Sequence, residues 1–356
     1  MKKLAFVLFL FLPFKIYAYS SSASSAILMD MNSGRIIYGK NIYHVQSVAS
    51  ISKIMTAVVA IENDNINKEV VIGDEVLKAY GSGIYVKVGE RLKLKDLLYG
   101  LMLRSGNDAA LAIAKTVSGD TLKFVHLMNE KAKELGMKDS VFNNPSGLDE
   151  EAGNMSSAYD MAILMSYAMK NKDFKKIVST KVYKVRTDKN IYVWHNKNKL
   201  LSSYKYITGG KTGFTKIAKR TLVTSALKNG LSLTVVTLND GNDWFDHKKL
   251  YEEAFSEYTS YRILTKGEVK ILGEDYYNND ILYLNHDFDY PLLEDEKNII
   301  KIKYVINKNR NYKTGDVIGN ANVYLGDEAI GSRPIYVKVK NRKISFWDKI
   351  FKRFRK

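Results

Sequence analysis

The stretch Val-Ala-Ser-Ile-Ser-Lys-Ile-Met-Thr-Ala-Val-Val-Ala-Ile-Glu, residues 48–62, places a serine and a lysine at the start of an apolar run. Ser50 precedes Lys53 by three residues, so both side chains lie on the same face if the run is a helix. The apolar residues that follow suit a helix packed in a core. A helix N-terminus supplies N–H donors and a positive potential, which favour an oxygen that becomes negative. The stretch therefore predicts a buried helix that opens with a nucleophile, Ser50.

The same spacing of serine and lysine occurs twice more, at Ser202 with Lys205 and at Ser225 with Lys228. Neither pair opens a long apolar helix, and spacing alone is typical of many surface pairs. The rest of the chain therefore has to show whether Ser50 has chemical partners.

Composition limits the classes of protein to consider. The chain has 356 residues, of which 46% are hydrophobic and 26% charged, with a formal charge of +17 and no cysteine. This length favours two domains, and this composition excludes disorder over most of the chain. The charge suggests an anionic partner, but the lysines are spread out and no nucleic-acid module is recognisable, so we expect no nucleic-acid partner. The absence of cysteine excludes disulfides, a thiolate nucleophile and cysteine-ligated metal.

The first residues are typical of a secretory signal peptide, predicted over residues 1–18. Two lysines precede an apolar run from Leu4 to Phe14, and Ala18 offers a small residue at the cut. The run is too short for an ordinary transmembrane helix. A cut after Ala23 and an uncleaved N-terminal anchor stay open as alternatives.

Hydrophobic periodicity predicts a mixed sheet that carries a helical cluster over residues 25–260. A hairpin is expected at 26–38, and a stretch with strand character at 70–88. Helices are predicted at 50–62, 94–103, 109–117, 121–135 and 158–169, and later strands at 182–185, 191–194, 222–226 and 231–238.

The remaining residues differ in character. From 265 to 339 the chain consists of short β-type runs with glycine turns, which predicts a separate small all-β domain. Residues 340–356 hold eight basic residues and one acidic residue, with Trp347, Ile350, Phe351 and Phe354 on one helical face. This pattern predicts an amphipathic helix on an anionic membrane surface; the alternative is a helix docked on its own domain.

Two further motifs carry possible chemistry. Ser105-Gly106-Asn107 follows the second helix, and we expect Ser105 and Asn107 in a loop between helices. Lys211-Thr212-Gly213 follows a glycine and precedes a strand, which predicts a strand edge with lysine and threonine pointing the same way toward a carboxylate. The tripeptide recurs at Lys313, where a turn is the simpler interpretation.

In order, the chain therefore carries Ser50-x-x-Lys53, Ser105-Gly106-Asn107 and Lys211-Thr212-Gly213, separated by 55 and 106 residues. The ordered set resembles the penicillin-recognising serine acyl-enzymes. Matches around these motifs, and at Asn144-Pro145-Ser146-Gly147-Leu148-Asp149 and Ser157-Ala158-Tyr159-Asp160, resemble the serine D-alanyl-D-alanine carboxypeptidases, the low-molecular-mass penicillin-binding proteins of peptidase family S11. The departures are Ser146 and Phe214, where the family often has histidine.

The resemblance implies an α/β fold with a penicillin-binding transpeptidase/β-lactamase-like domain. It implies removal of the terminal D-alanine from peptidoglycan stem peptides ending in D-Ala-D-Ala, with β-lactams as inhibitors and no metal or other cofactor. The protein would be secreted and attached to the outer face of the cytoplasmic membrane. The implied catalytic residues are Ser50, Lys53 and Ser105; the implied substrate-binding residues are Asn107, Lys211, Thr212, Gly213 and Phe214.

Three alternatives share these motifs. A β-lactamase needs a glutamate-bearing loop, whereas residues 142–151 match the carboxypeptidase loop. A D,D-endopeptidase is poorly separated by sequence, although the β domain and the tail favour the carboxypeptidase. A wall-binding protein with a degenerate site is disfavoured by the complete motif set.

Overall fold

A computed structural model of the chain describes residues 19–149 and 153–340. The first eleven strands and the helices up to residue 257 form one mixed region. Its strands are β1 Ser25–Asp30, β2 Ile36–Lys40, β3 Gln46–Ser47, β4 Glu69–Val71, β5 Arg91–Lys93, β6 Met155–Ser156, β7 Val182–Arg186, β8 Ile191–His195, β9 Ile207–Thr215, β10 Lys219–Lys228 and β11 Leu231–Leu238. Its helices are α1 Lys53–Asn63, α2 Leu94–Tyr99, α3 Asn107–Ser118, α4 Thr121–Glu134, α5 Ala158–Ala168, α6 Lys172–Ser179, α7 Leu200–Ser203 and α8 Asp243–Glu257.

A five-stranded antiparallel sheet in the order β2-β1-β11-β10-β9 organises this region. Successive side chains of a strand point to opposite faces, and both faces of this sheet are buried. Ile27 and Val236 belong to the core on the side of α1 and α5, whereas Leu28 and Val235 belong to a second core under α8. The predicted sheet with a helical cluster is confirmed, but all four strand pairings are antiparallel, so the sheet is not mixed. Strand β9 lies at one of its two edges.

Helix α8 was not predicted from periodicity, because the helix is rich in charged residues. It is held to the sheet by a buried polar contact as well as by apolar packing. His247 lies between the hydroxyls of Thr224 and Thr237, with its ring nitrogens 2.8 and 3.1 Å from their oxygens. Burial lowers the pKa of His247 to about 3, so the ring is neutral.

The prediction of strand character over 70–88 was largely wrong. Only Glu69–Val71 is a strand; a short 3₁₀ helix, Asp74–Lys78, follows, and the chain then runs as a loop. The N–H groups of Ile84 and Tyr85 donate to the buried carboxylate of Asp108 at 3.0 and 2.6 Å. These donors are satisfied by a side chain instead of a neighbouring strand, so apolar residues here do not form a sheet.

The small all-β region is confirmed as a fold. Its strands are β12 Thr259–Leu264, β13 Gly267–Glu268, β14 Ile281–Leu284, β15 Phe288–Leu292, β16 Ile300–Ile306, β17 Val317–Leu325 and β18 Glu328–Lys338. β12 pairs with β15, and the others form a sheet in the order β13-β14-β18-β17-β16. The second Lys-Thr-Gly lies in the turn before β17, as expected, where Lys313 N donates to Asp316.

The all-β region contacts the mixed region through Arg35, in the turn between β1 and β2. Its guanidinium donates to both carboxylate oxygens of Glu296, at 2.8 and 2.5 Å, and to the carbonyl of Pro291 at 2.7 Å. Bidentate pairs of this kind fix geometry as well as charge.

Two predictions lie outside the described residues: the signal peptide over 1–18, and the amphipathic helix over 340–356 apart from Lys340. In the described part of the chain, no helix combines the length and apolar character needed to cross a membrane.

Candidate active site

Ser50 lies in a 3₁₀ turn, Ala49–Ser52, that leads directly into α1. Ala49 adopts a left-handed conformation with φ of 51°. The hydroxyl of Thr221 on β10 donates to the carbonyl of Val48 at 3.0 Å and so ties this turn to the sheet. On the other side, a Cβ added at Gly147 would lie 2.2 Å from the carbonyl oxygen of Ala49, so only glycine fits. The turn is therefore held between β10 and the loop that contains Gly147, while Ser50 itself is half-buried.

Lys53 is the first residue of α1 and is fully buried. Its Nζ lies 3.0 Å from Ser50 Oγ and 2.8 Å from Asn107 Oδ1, and it also donates to the carbonyl of Ser146. All three directions of the amine are thus used, and one points at the predicted nucleophile. The Ser50 and Lys53 side chains meet as the helical spacing predicts.

The protonated form of Lys53 is disfavoured by its surroundings. Desolvation is the main cause, the charge of Lys197 adds to it, and Asp108 opposes it; together they lower the pKa of Lys53 to about 7. A lysine of this kind is half neutral near physiological pH. Its amine can therefore accept a proton from a neighbouring hydroxyl.

The Ser105-Gly106-Asn107 motif faces the same cleft, but the prediction of a loop was only partly correct. Ser105 ends a π-helical turn, Gly100–Arg104, in a left-handed conformation with φ of 65°. Asn107 is the first residue of α3. Its Nδ2 donates to the carbonyl of Tyr80 at 2.6 Å, which leaves Oδ1 to accept from Lys53. The helix start thus fixes Asn107 beside Lys53.

The Lys211-Thr212-Gly213 motif lies within β9, so the glycines are part of the strand. Lys211 is buried, with Nζ 3.0 Å from Ser105 Oγ and 2.6 Å from the carbonyl of Thr212. The sequence predicts that the side chains of Lys211 and Thr212 point the same way, and this prediction was wrong. They are paired with Val223 and Leu222, which pack into opposite cores. The side chain of Lys211 alone faces Ser105.

Burial lowers the pKa of Lys211 well below the usual lysine value, and the charges of Lys53 and Lys197 act in the same direction. The cleft therefore holds two buried lysines, each 3.0 Å from a serine hydroxyl.

Gly213 brings β9 against the turn that carries Ser50. A Cβ at this position would lie 3.1 Å from the backbone nitrogen of Ser50 and 2.3 Å from Thr221 Oγ1. Phe214 follows with its side chain 66% exposed. The structure thus joins Ser50 to Lys53, Lys53 to Asn107 and Lys211 to Ser105 by hydrogen bonds, and it places Gly213 against the Ser50 turn. Thr212 and Phe214 share strand β9 with Lys211 and Gly213, but the Thr212 side chain is on the opposite face from that of Lys211.

Asp149 links the two halves of the cleft, although sequence reasoning assigned it no role. Its carboxylate accepts from the hydroxyl of Ser47, before the Ser50 turn, and from the hydroxyl of Thr215, at the end of β9. Sequence reasoning also missed the carbonyl of Ser146, because a backbone acceptor has no side-chain signature, and Lys197, one of 55 basic residues.

The fold and this cleft define the class of penicillin-binding proteins. A model of the D-alanyl-D-alanine carboxypeptidase family, peptidase S11, matches residues 14–242, and one of the C-terminal domain of penicillin-binding protein 5 matches residues 258–343. The chain belongs to the peptidase S11 family.

Named relatives agree with this assignment. D-alanyl-D-alanine carboxypeptidase DacF of Bacillus subtilis is 34% identical over 256 residues, 69% of this chain and 65% of DacF, slightly under two thirds of its length. Penicillin-binding protein 5 from Haemophilus influenzae superposes with a TM-score of 0.76 at 27% identity, covering 90% of this chain and 98% of that chain. The D-alanyl-D-alanine carboxypeptidase from Mycobacterium tuberculosis gives 0.64 at 30% identity, covering 67% and 92%.

Proposed function

We propose that the protein is a serine-type D-alanyl-D-alanine carboxypeptidase that removes the terminal D-alanine of peptidoglycan stem peptides. One observation carries the proposal: a buried lysine amine with pKa of about 7 lies 3.0 Å from the hydroxyl of a half-buried serine. The Lys211–Ser105 pair and the edge strand β9 supply the groups for proton donation and substrate binding.

In the acylation step, Lys53 accepts the proton of Ser50, and Ser50 Oγ attacks the carbonyl between the two D-alanines. The negative oxygen of the tetrahedral intermediate is stabilised by the backbone N–H groups of Ser50 and Phe214. The close packing of Gly213 against the Ser50 turn supports this role, because a Cβ added at Gly213 would lie 3.1 Å from Ser50 N, and Phe214 is the next residue of that strand.

Expulsion of the terminal D-alanine requires a proton on its nitrogen. Ser105 donates this proton as the C–N bond breaks, and the proton that Lys53 accepted from Ser50 replaces it. Lys211, whose amine lies 3.0 Å from Ser105 Oγ, orients the Ser105 hydroxyl. Water then hydrolyses the ester on Ser50, which releases the shortened stem peptide and restores the free enzyme.

Substrate is held along β9, an edge strand of the sheet, whose outward-facing backbone groups suit an extended peptide. Asn107 binds the peptide amide, Gly213 permits close approach, and the Lys211 side chain binds the terminal carboxylate. A β-lactam fits the same arrangement: opening of its ring acylates Ser50, and the leaving nitrogen stays tethered.

The function is tested with the purified protein, a peptide ending in D-Ala-D-Ala and a fluorescent penicillin. Wild type should release D-alanine and become labelled, and Ser50→Ala should do neither. Ser202→Ala, in a second serine-lysine pair of the same spacing, is the matched control and should behave as wild type. Absence of both activities in the folded wild-type protein would refute the function; labelling without D-alanine release would favour a different reaction of the acyl-enzyme.

We propose also that the chain is secreted, cut after Ala18, and attached to the membrane by residues 340–356, with catalytic and β domains over 25–260 and 265–339. The segment after Ala18 supports this cut. The backbone N–H of Ser22 donates to Asp246 at 2.6 Å, and the Ser22 hydroxyl, a single donor, lies 2.9 Å from Asp246 Oδ2 and 2.8 Å from Asp240 Oδ1. A cut after Ala23 would strip both buried carboxylates of these donors.

The mass of the mature protein distinguishes the two cuts, because a species that begins at Ser24 would contradict the proposal. Membrane attachment is tested by deleting residues 340–356 and separating membranes from the soluble fraction. The shortened mature protein should be soluble; if it stays with the membranes, the anchor is elsewhere.

A further inference from the structure

A third lysine, Lys197, lies at the cleft and has no role in the mechanism above. It follows β8, and its backbone N–H donates to the carbonyl of Leu103 at 3.1 Å. Leu103 lies in the π-helical turn that ends at Ser105. The backbone of Lys197 is therefore fixed against the segment that places Ser105.

The other end of Lys197 contacts the loop over residues 79–85, called here the Ser82 loop. Its Nζ donates to Ser82 Oγ at 3.2 Å. The carbonyl of Ser82 in turn accepts from the backbone N–H of Asn107 at 2.7 Å, and the carbonyl of Tyr80 accepts from Asn107 Nδ2. Asn107 Oδ1 is thereby directed at Lys53, so the contacts run from Lys197 through the Ser82 loop to the base.

The charged groups around this point are mostly cationic. Lys197 opposes a proton on both Lys53 and Lys211, and Arg104 faces Lys197 itself. Asp108 is the carboxylate that faces Lys53, and it is already held by the N–H groups of the Ser82 loop. Partial desolvation and then the charge of Arg104 lower the pKa of Lys197 below the usual lysine value. Its side chain is nevertheless exposed, so it keeps its charge more readily than the two buried lysines.

We propose that Lys197 is a positioning residue for acylation: its ammonium group donates to Ser82, holds the Ser82 loop on Asn107 and thereby keeps a positive charge at the cleft. The proposal rests on the acyl-enzyme at Ser50 and adds a residue that touches neither Ser50 nor the scissile bond. Removal of the charge should make Lys53 harder to deprotonate, whereas removal of the hydrogen bond alone should not.

The experiment is the pH dependence of acylation of the full mature chain by a fluorescent penicillin, as a second-order rate constant from pH 5.5 to 9.5. In wild type the rate should rise through a pKa near 7 as Lys53 becomes neutral. In Lys197→Met this rise should move up by about one pH unit, which makes acylation about fivefold slower at pH 7 and nearly normal at pH 9.

Three variants separate charge from structure. Lys197→Arg keeps the charge and should keep the wild-type profile. Ser82→Ala removes the hydrogen bond and should keep the pH of the rise. Lys199→Met removes an exposed lysine two residues away and should behave as wild type.

Near-normal acylation of Lys197→Met at pH 9 also shows that the variant is folded. The proposal is overturned if the profile of Lys197→Met coincides with that of wild type, or if Lys197→Arg or Ser82→Ala shifts as far as Lys197→Met. Failure of the wild-type protein to label at any pH would instead overturn the proposed function itself.

Discussion

Two lysine-serine pairs share one cleft and differ in their surroundings. The Nζ–Oγ distance is 3.0 Å both for Lys53 with Ser50 and for Lys211 with Ser105, and both lysines are buried. Ser50 is half-buried at the cleft, whereas Ser105 is only 5% exposed. Equal distances therefore do not imply equal roles; accessibility makes Ser50 the better nucleophile.

The charges around the two lysines differ as well. Asp108 partly offsets the loss of hydration at Lys53, whereas the neighbouring charges that act on Lys211 are those of Lys53 and Lys197, both positive. An anion bound next to Lys211 would favour its protonation, since no carboxylate of the described residues is among the groups that act on Lys211. We infer that Lys53 works as a base in the free enzyme, and that Lys211 gains its proton when a substrate carboxylate binds.

Exchange of each lysine for methionine gives the largest expected effect and tests this inference. Lys53→Met should slow acylation by a β-lactam about 10²- to 10⁴-fold, because the general base is lost. Lys211→Met should lose about 10- to 100-fold, mainly in binding of the carboxylate. Saturation kinetics with a fluorescent penicillin separate the acylation rate at saturation from the affinity for the penicillin.

The matched control for these variants is Lys205→Met, from the Ser202 pair, which should acylate as wild type. Equal losses in Lys53→Met and Lys211→Met, both in the acylation rate at saturation, would contradict the division of roles.

A smaller effect is expected in stability. A lysine whose pKa is lowered by folding binds fewer protons in the native state than in the unfolded state between the two pKa values. For Lys53 that window runs from pH 7 to the ordinary value of 10.5. Within it the free energy of unfolding should rise with pH, by at most about 1.4 kcal/mol per pH unit for each such lysine.

Urea unfolding at several pH values between 7 and 9.5 measures this slope. It should be smaller in Lys53→Met than in wild type, and unchanged in Lys205→Met. A wild-type slope that is flat or negative across this range would show that Lys53 stays charged in the native protein.

The smallest effect is expected at Asp149, whose carboxylate links the segment before Ser50 to the end of β9, the strand that carries Lys211. Asp149→Asn weakens the bonds to Ser47 and Thr215, so the Ser50 turn and β9 should be held less tightly. Acylation should fall about threefold to tenfold without a change in the pH of its rise. Asp327→Asn, at a fully exposed carboxylate, is the control. A loss as large as that of Lys53→Met would mean that Asp149 has a direct role in the chemistry.

The sequence predicts the parts of this molecule that follow a period or a motif. Helices α1, α4 and α5, strand β11 and the all-β region follow hydrophobic patterns, and the three motifs locate both lysine-serine pairs. Helix α8 was not predicted, because its sequence is rich in charged residues and lacks a clear apolar period. The loop after Val71 was predicted as a strand, because the sequence does not show that the Asp108 carboxylate accepts its N–H groups. Lys197, Asp149 and the Ser146 carbonyl depend on contacts between distant segments, which no local pattern contains.

The turn before Ser50 has a consequence for how this cleft can evolve. Ala49 holds a backbone conformation that costs most side chains about 1 kcal/mol or more, and the carbonyl of Ala49 lies where Gly147 leaves room. A larger residue at either position would displace the turn, so the two positions constrain each other. A variant that reshapes the nucleophile turn to escape an inhibitor would need coordinated changes in two loops 98 residues apart. A single substitution at either position would inactivate the enzyme before it gave resistance to the inhibitor.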